Sequence, residues 1–192
     1  MMRIEKDNIT IRSAQAHDAK TLNAWWNDGR VMEHAGFPNG LGQPMEETLR
    51  QINENRNSIN QRCMIEIDGT PVGELNYKIH SDKAAAFPGW KICETDYQNK
   101  GYGTKIILTL FEFLFTDEKI NSLGKIERIV WDTTLENTRA QHVYESKIGA
   151  TKTKVEENAW QDQLGVWRTA VHYEITRKQF YALHFPAVNK QQ

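Results

Sequence analysis

Gln98, Gly101 and Gly103 stand in the stretch DYQNKGYGTK (residues 96–105), between GWKIC, which reads as a strand, and TKIILTLFEFLF, which reads as a helix. Two glycines two positions apart let the backbone turn tightly and approach a ligand with no Cβ in the way, and the first turn of the helix leaves several N–H groups without intrahelical acceptors. The helix dipole adds about half a positive charge there, so a phosphate or pyrophosphate is the expected guest, with Lys100 and Lys105 alongside. Two other phosphate-binding patterns fail on spacing. A dinucleotide fingerprint requires a third glycine where Ile106 stands, and a Walker-type loop requires Ser or Thr where Ile126 follows Gly124-Lys125.

A second constellation lies in NTRAQHVYESKIGA (residues 137–150), which reads as a helix opened by Asn137 and stopped by Gly149. Asn137 and Tyr144 are almost two turns apart, so one helical face carries both along ~10 Å. A phenol with a pKa of ~10 is a hydrogen-bond donor through the neutral range. The simpler alternative makes Asn137 a helix cap and Tyr144 a core aromatic. The two cysteines, Cys63 and Cys93, form no CxxC pair, and His17, His80, His142, His172 and His184 lack metal-ligand spacing. Neither a disulfide framework nor a metal site is expected.

The elements that position these groups follow from periodicity. ITIR (residues 9–12) alternates as a strand, and Ser13 is a possible cap for a helix carrying Leu22, Trp25 and Trp26. The two tryptophans face ~100° apart, so both cannot be fully buried in one stripe, and one of them is a candidate pocket wall. The Gly/Pro-rich connection over 35–44 is the likeliest mobile element. A surface helix with Leu49 and Ile52 follows over 45–57, then a hairpin turning at Asp68-Gly69, and GWKIC as a third run of that meander. Positions 106, 107, 110, 111, 114 and 115 form one broad apolar face of a core helix. RIVWDTT is a compact strand, and TKTKVEEN and VWRTAVHYEIT are two long strands before a polar tail over 178–192 that should fray.

With 24 basic and 25 acidic residues, a formal charge of −1 and no long blocks of one sign, the chain lacks the footprint of a nucleic-acid binder. The most apolar run has ten residues and includes Glu112, too short to span a membrane, and no signal-peptide core precedes it. One domain over 1–192, with a folded core over about 8–177, is expected, in a reducing cytoplasm.

The pattern Gln98-x-x-Gly101-x-Gly103 resembles the acyl-CoA pyrophosphate loop of GNAT-family N-acetyltransferases. Residues 133–153, TTLENTRAQHVYESKIGATKT, resemble that family's later segment, in which an Asn precedes a helix carrying a Tyr. The order of elements from 9 to 175 resembles the whole fold, nearest the branch of ribosomal-protein N-terminal and aminoglycoside acetyltransferases. The resemblance implies an α/β (α+β) fold with a mixed sheet of about seven strands, splayed to hold acyl-CoA, and about four flanking helices. It implies acetyl-CoA (coenzyme A) as cofactor, with Gln98, Asn99, Lys100, Gly101, Tyr102, Gly103 and Thr104 at the pyrophosphate, and backbone groups of Ile92, Cys93 and Glu94 along pantetheine as an added strand. Asn137 and Tyr144 would contact it from the later helix.

The implied reaction is direct acetyl transfer to a primary amine, either a peptide N-terminus or a small polyamine or aminoglycoside-like molecule. An N–H near Ile92 or Cys93 is expected to meet the oxyanion. Many relatives carry a glutamate on the strand before the loop. Phe87 stands there in this chain, leaving Glu94, Glu33 and His34 as candidates to remove a proton through water. The missing glutamate also makes a non-catalytic acyl-CoA sensor the alternative. Oligomeric state, monomer or homodimer, is open.

Overall fold

The computed structural model describes residues 2–55, 57, 59–122 and 124–186. Eight strands form one sheet: β1 (Arg3–Lys6), β2 (Ile9–Ser13), β3 (Asn60–Ile67), β4 (Thr70–His80), β5 (Ala85–Ile92), β6 (Arg128–Thr134), β7 (Thr151–Gln161) and β8 (Trp167–Thr176). Their order is β1-β2-β3-β4-β5-β6-β8-β7, with every neighbour pair antiparallel except β5 and β6. The α-helices are α1 (Ala19–Trp26), α2 (Gly29–Met32), α3 (Met45–Glu54), α4 (Tyr102–Thr116), α5 (Glu118–Asn121), α6 (Thr138–Val143) and α7 (Arg177–His184). A π turn, Tyr144–Ile148, continues α6.

The sheet separates two cores. On one face α4 buries Ile106, Ile107, Leu110, Phe111, Leu114 and Phe115, the six positions its periodicity predicts. On the other face α1 and α3 bury Leu22, Trp25, Trp26 and Ile52 against Met64 and Cys93. The hairpin turns at Asp68-Gly69, both with positive φ.

Four expectations are corrected. The sheet has eight strands because the charged segment Arg3–Lys6 pairs with β2, a strand too polar to read from alternation. Among the described residues there are seven α-helices instead of about four, the additions being short turns and α7. Ser13 caps no helix. It ends β2, and its hydroxyl accepts from the Met2 N–H at 2.9 Å, while Asp18 ties the entry to α1 by accepting from Gln15 N–H and from both Nη atoms of Arg12. The described part of the segment expected to fray over 178–192 contains α7, capped by Thr176, with Phe180 fully buried against Phe111 and Phe115, and residues 187–192 lie outside the described residues.

Phe180→Ala should therefore lower unfolding stability by about 3 kcal/mol, as for a large buried aromatic, and shift the urea midpoint down. A variant as stable as the parent would show that α7 is dispensable to the core.

Candidate active site

Strands β5 and β6 pair in parallel at only two positions, Ala85 with Arg128 and Ala86 with Ile129. From there they diverge. Pro88 lies in the diverging stretch, a position that a central strand excludes unless one edge is free. A wedge of rings holds the strands apart: Trp90 of β5 lies 5.8 Å from Trp131 of β6, and Tyr144 sits edge-on to both, at 5.6 and 5.5 Å. The resulting cleft has a volume of about 1160 Å³ and runs from the glycine turn across the sheet to α1 and α2.

At the turn, Gly101 has φ +81 and precedes α4 as its N-cap, a conformation that explains the glycine. Asn99 shares the left-handed region, at φ +59. A Cβ built on Gly103 meets nothing within 4 Å, so a ligand could approach its backbone. Gln98 fastens the turn: its amide donates to the Ile92 carbonyl at 2.9 Å, and its oxygen lies 3.5 Å from Arg139 Nη1. Of the loop residues proposed for the cofactor, Gln98 and Gly103 line the cleft, while Asn99, Lys100, Gly101, Tyr102 and Thr104 are not part of its lining. Lys100 lies over the Tyr97 ring.

Across the cleft, Asn137 is both cap and lining residue. Its Oδ1 accepts from Ala140 N–H at 3.3 Å and its Nδ2 donates to Thr133 Oγ1 at 3.1 Å. Tyr144 is 7% exposed. Burial pushes its phenol above the usual value, the Trp90 indole pulls it back, and the nearby Asp132 charge adds to the rise. Trp131 Nε1 is buried without a hydrogen-bond partner among the described residues, as is Arg62 Nε, and both residues line the cleft.

Three of the backbone groups expected along pantetheine are already bonded. The N–H groups of Cys93 and Glu94 both donate to the Val72 carbonyl, at 2.8 and 3.1 Å, and the Ile92 carbonyl holds Gln98. A free N–H at Cys93 for an oxyanion is thereby corrected. Cys93 itself is 6% exposed with its thiol pushed up by burial, which fits a packing residue.

The part of the cleft lined by α1 and β4 contains a group that sequence patterning missed. Glu74 of β4 is 3% exposed, and its carboxylate accepts from Trp26 Nε1 at 2.9 Å and Arg62 Nη1 at 2.6 Å, with Lys91 Nζ 3.4 Å away. Desolvation alone would raise its pKa. The Arg62 and Lys91 charges and the hydrogen bonds outweigh that and hold the carboxyl below its usual range. Both tryptophans of α1 are buried, contrary to expectation, because each indole finds a separate carboxylate, Trp25 Nε1 donating to Glu94 at 2.7 Å, and both line the cleft, where one pocket wall was expected. Phe87, at the position where the resemblance led to the expectation of a glutamate, packs edge-on against His80 at 4.9 Å and is not part of the cleft lining. Glu33 also lies outside that lining, in a short turn whose next residues, His34 and Ala35, are part of it.

The connection expected to be mobile forms a roof. Gln163, beyond β7, donates through its backbone to the Gly36 carbonyl at 2.8 Å and through its side chain to the Gly40 carbonyl at 2.9 Å, and it accepts from Asn39 N–H at 3.0 Å. Gly36, at φ +90, lies so close to the Trp160 ring that an added Cβ would stand 2.3 Å from it.

Known proteins share the fold of this chain. Residues 8–151 match the family model described as acetyltransferase (GNAT) domain. No curated protein matches the chain by sequence. Among solved structures, the spermidine N-acetyltransferase from Vibrio cholerae in complex with CoA and spermine has 17% identity and a TM-score of 0.77, covering 90% of this chain and 98% of that one. A GNAT acetyltransferase from Bacillus anthracis has 21% identity and a TM-score of 0.75, over 92% and 99%. The ribosomal L7/L12 alpha-N-protein acetyltransferase RimL in complex with coenzyme A has 15% identity and a TM-score of 0.77, over 91% and 98%. The chain belongs to the GNAT acetyltransferase family, enzymes that use acetyl-CoA as acyl donor.

Two outcomes follow from this geometry. Gly103→Val fills only open space, so it should leave unfolding stability nearly unchanged while weakening coenzyme A binding about tenfold or more by calorimetry. Equal affinity would move the pyrophosphate elsewhere. Glu74→Gln leaves two cations around a neutral amide and should cost about 3 kcal/mol at neutral pH. Because the native carboxyl is held below its unfolded value, its contribution is complete above pH ~4 and fades as the pH drops further. The gap between parent and variant in urea unfolding should narrow below pH ~4, and a constant gap would contradict the ion-pair assignment.

Proposed function

We propose that this chain is an N-acetyltransferase that moves acetyl from acetyl-CoA directly to a small primary amine held on the α1 and α2 side of the cleft. The observation that carries this reading is the two-residue parallel pairing of β5 and β6, which opens a ligand-sized gap beside the glycine turn. Gly103 gives the pyrophosphate an unobstructed backbone, Arg139 brings a guanidinium to the opposite wall, and Gln98 fixes the turn against the end of β5.

Bound acetyl-CoA supplies the thioester. Tyr144 stays protonated through the neutral range because burial raises its pKa, so its hydroxyl is available to hydrogen-bond the departing sulfur. Full proton transfer from so weak an acid to a thiolate is uphill, and the sulfur instead receives the proton released by the acceptor nitrogen. Glu94, oriented by Trp25, is the carboxylate in the cleft placed to relay that proton through water. Glu74, clamped by two cations, is a poor base and fixes the floor. The roof formed with Gln163 and Trp160 supports a small acceptor over a long peptide.

Thiol release from acetyl-CoA across a panel of amines tests the reading. Tyr144→Phe keeps the ring and removes the donor, so kcat should fall about 100-fold at every pH, with folding intact by near-UV circular dichroism. Parent turnover should rise as the amine deprotonates, without a falling limb from tyrosine ionisation up to pH ~10. Unchanged turnover in the variant would remove Tyr144 from the chemistry.

A further inference from the structure

The floor of the acceptor side carries more positive than negative charge. Lys91 stands directly opposite Glu74 across the β4–β5 ladder, and Arg62 approaches the same carboxylate from β3. Two cations thus share one carboxylate. The other neighbour of Lys91 Nζ is Met32 Sδ at 3.0 Å, a weak acceptor without charge. Arg62 lies over the Trp26 ring with its centre 5.0 Å from the centroid, which leaves its charge undiminished, and its Nε has no partner. Both side chains remain partly open to the cleft, at 17% and 26% exposure. Asp28, also in the lining, is bonded to Arg30 and cannot offset the excess.

We propose that the acceptor is a zwitterion, a primary amine bearing a carboxylate, whose carboxylate seats on Lys91 and Arg62. This deepens the acetyltransferase reading and rests on it. One unmatched positive charge is neutralised by one carboxylate, whereas a phosphate dianion would overshoot and a polyamine would be repelled. The ammonium has a partner on β6. Asp132 lines the cleft there, pairs with no cation among the described residues and acts on Tyr144, so the amine is drawn toward the β6 wall while the carboxylate stays on the floor.

The test does not depend on turnover. N-acetylglycine and N-acetylglycinamide, which differ only in the carboxylate, are titrated calorimetrically into the full chain saturated with coenzyme A. The carboxylate should bind about 10- to 100-fold tighter, the range of one charge-assisted contact, and Lys91→Met should abolish the difference while Lys91→Arg keeps it. In parallel, thiol release should favour α- and ω-amino acids over their amides and over spermidine. Equal binding of acid and amide, a preference for spermidine, or an undiminished preference in Lys91→Met overturns the proposal. If acetyl-CoA fails to bind or no amine is acetylated, the enzyme reading falls, while the comparison of acid with amide still decides whether the floor selects a carboxylate.

Discussion

The structure depends on the brevity of one strand pairing. Strands β5 and β6 hold each other at Ala85 and Ala86 and then part, although every other neighbour pair in the sheet runs antiparallel over four or more positions. A parallel ladder broken after two residues exposes main-chain groups that the protein must satisfy or leave for a ligand. Some are satisfied internally, through Val72 and Gln98. The rest of the opening is kept by Trp90, Trp131 and Tyr144, whose edge-on rings fill the wedge with contacts that favour this geometry over collapse.

Against this aromatic wedge stands a charged floor. Removing Glu74, Arg62 and Lys91 from water is costly, and ion pairs of this kind add little net stability compared with apolar packing of the same volume. Their arrangement is better understood as a means of fixing charge in a low-dielectric site, where an arriving ionic group feels it strongly. The indoles of Trp25 and Trp26 serve the same end, since each presents an N–H to a carboxylate and an apolar ring to the core.

Features set by local chain chemistry were legible in the sequence. The six apolar positions of α4, the turn at Asp68-Gly69, the Asn137 cap and the glycine turn all depend on neighbours within a few residues. Features set by distant partners were not. Glu74 sits in PVGELNYKI, where a lone acidic residue between Gly73 and Leu75 was the available signal, but its two cations come from other strands. A bulge near Ile65 and Glu66 displaces Val72 from simple alternation and blurs the strand's period. Phe180 follows the polar run Arg177-Lys178-Gln179, so only the packing of α7 reveals it as core. Asn99 carries a left-handed backbone that the glycine pattern alone did not announce.

The roof over the acceptor side joins residues 36–40 to Trp160 and Gln163, segments more than 120 positions apart. Contacts of such separation carry a large loop-closure entropy and form after the local ones. During synthesis the chamber would stay uncovered until the last hairpin emerged, and in the mature protein this seam is where transient local opening would begin. On the proposed reading, admission of the acceptor would be coupled to the least sequence-local part of the fold, while the turn at the head of α4 remains folded throughout.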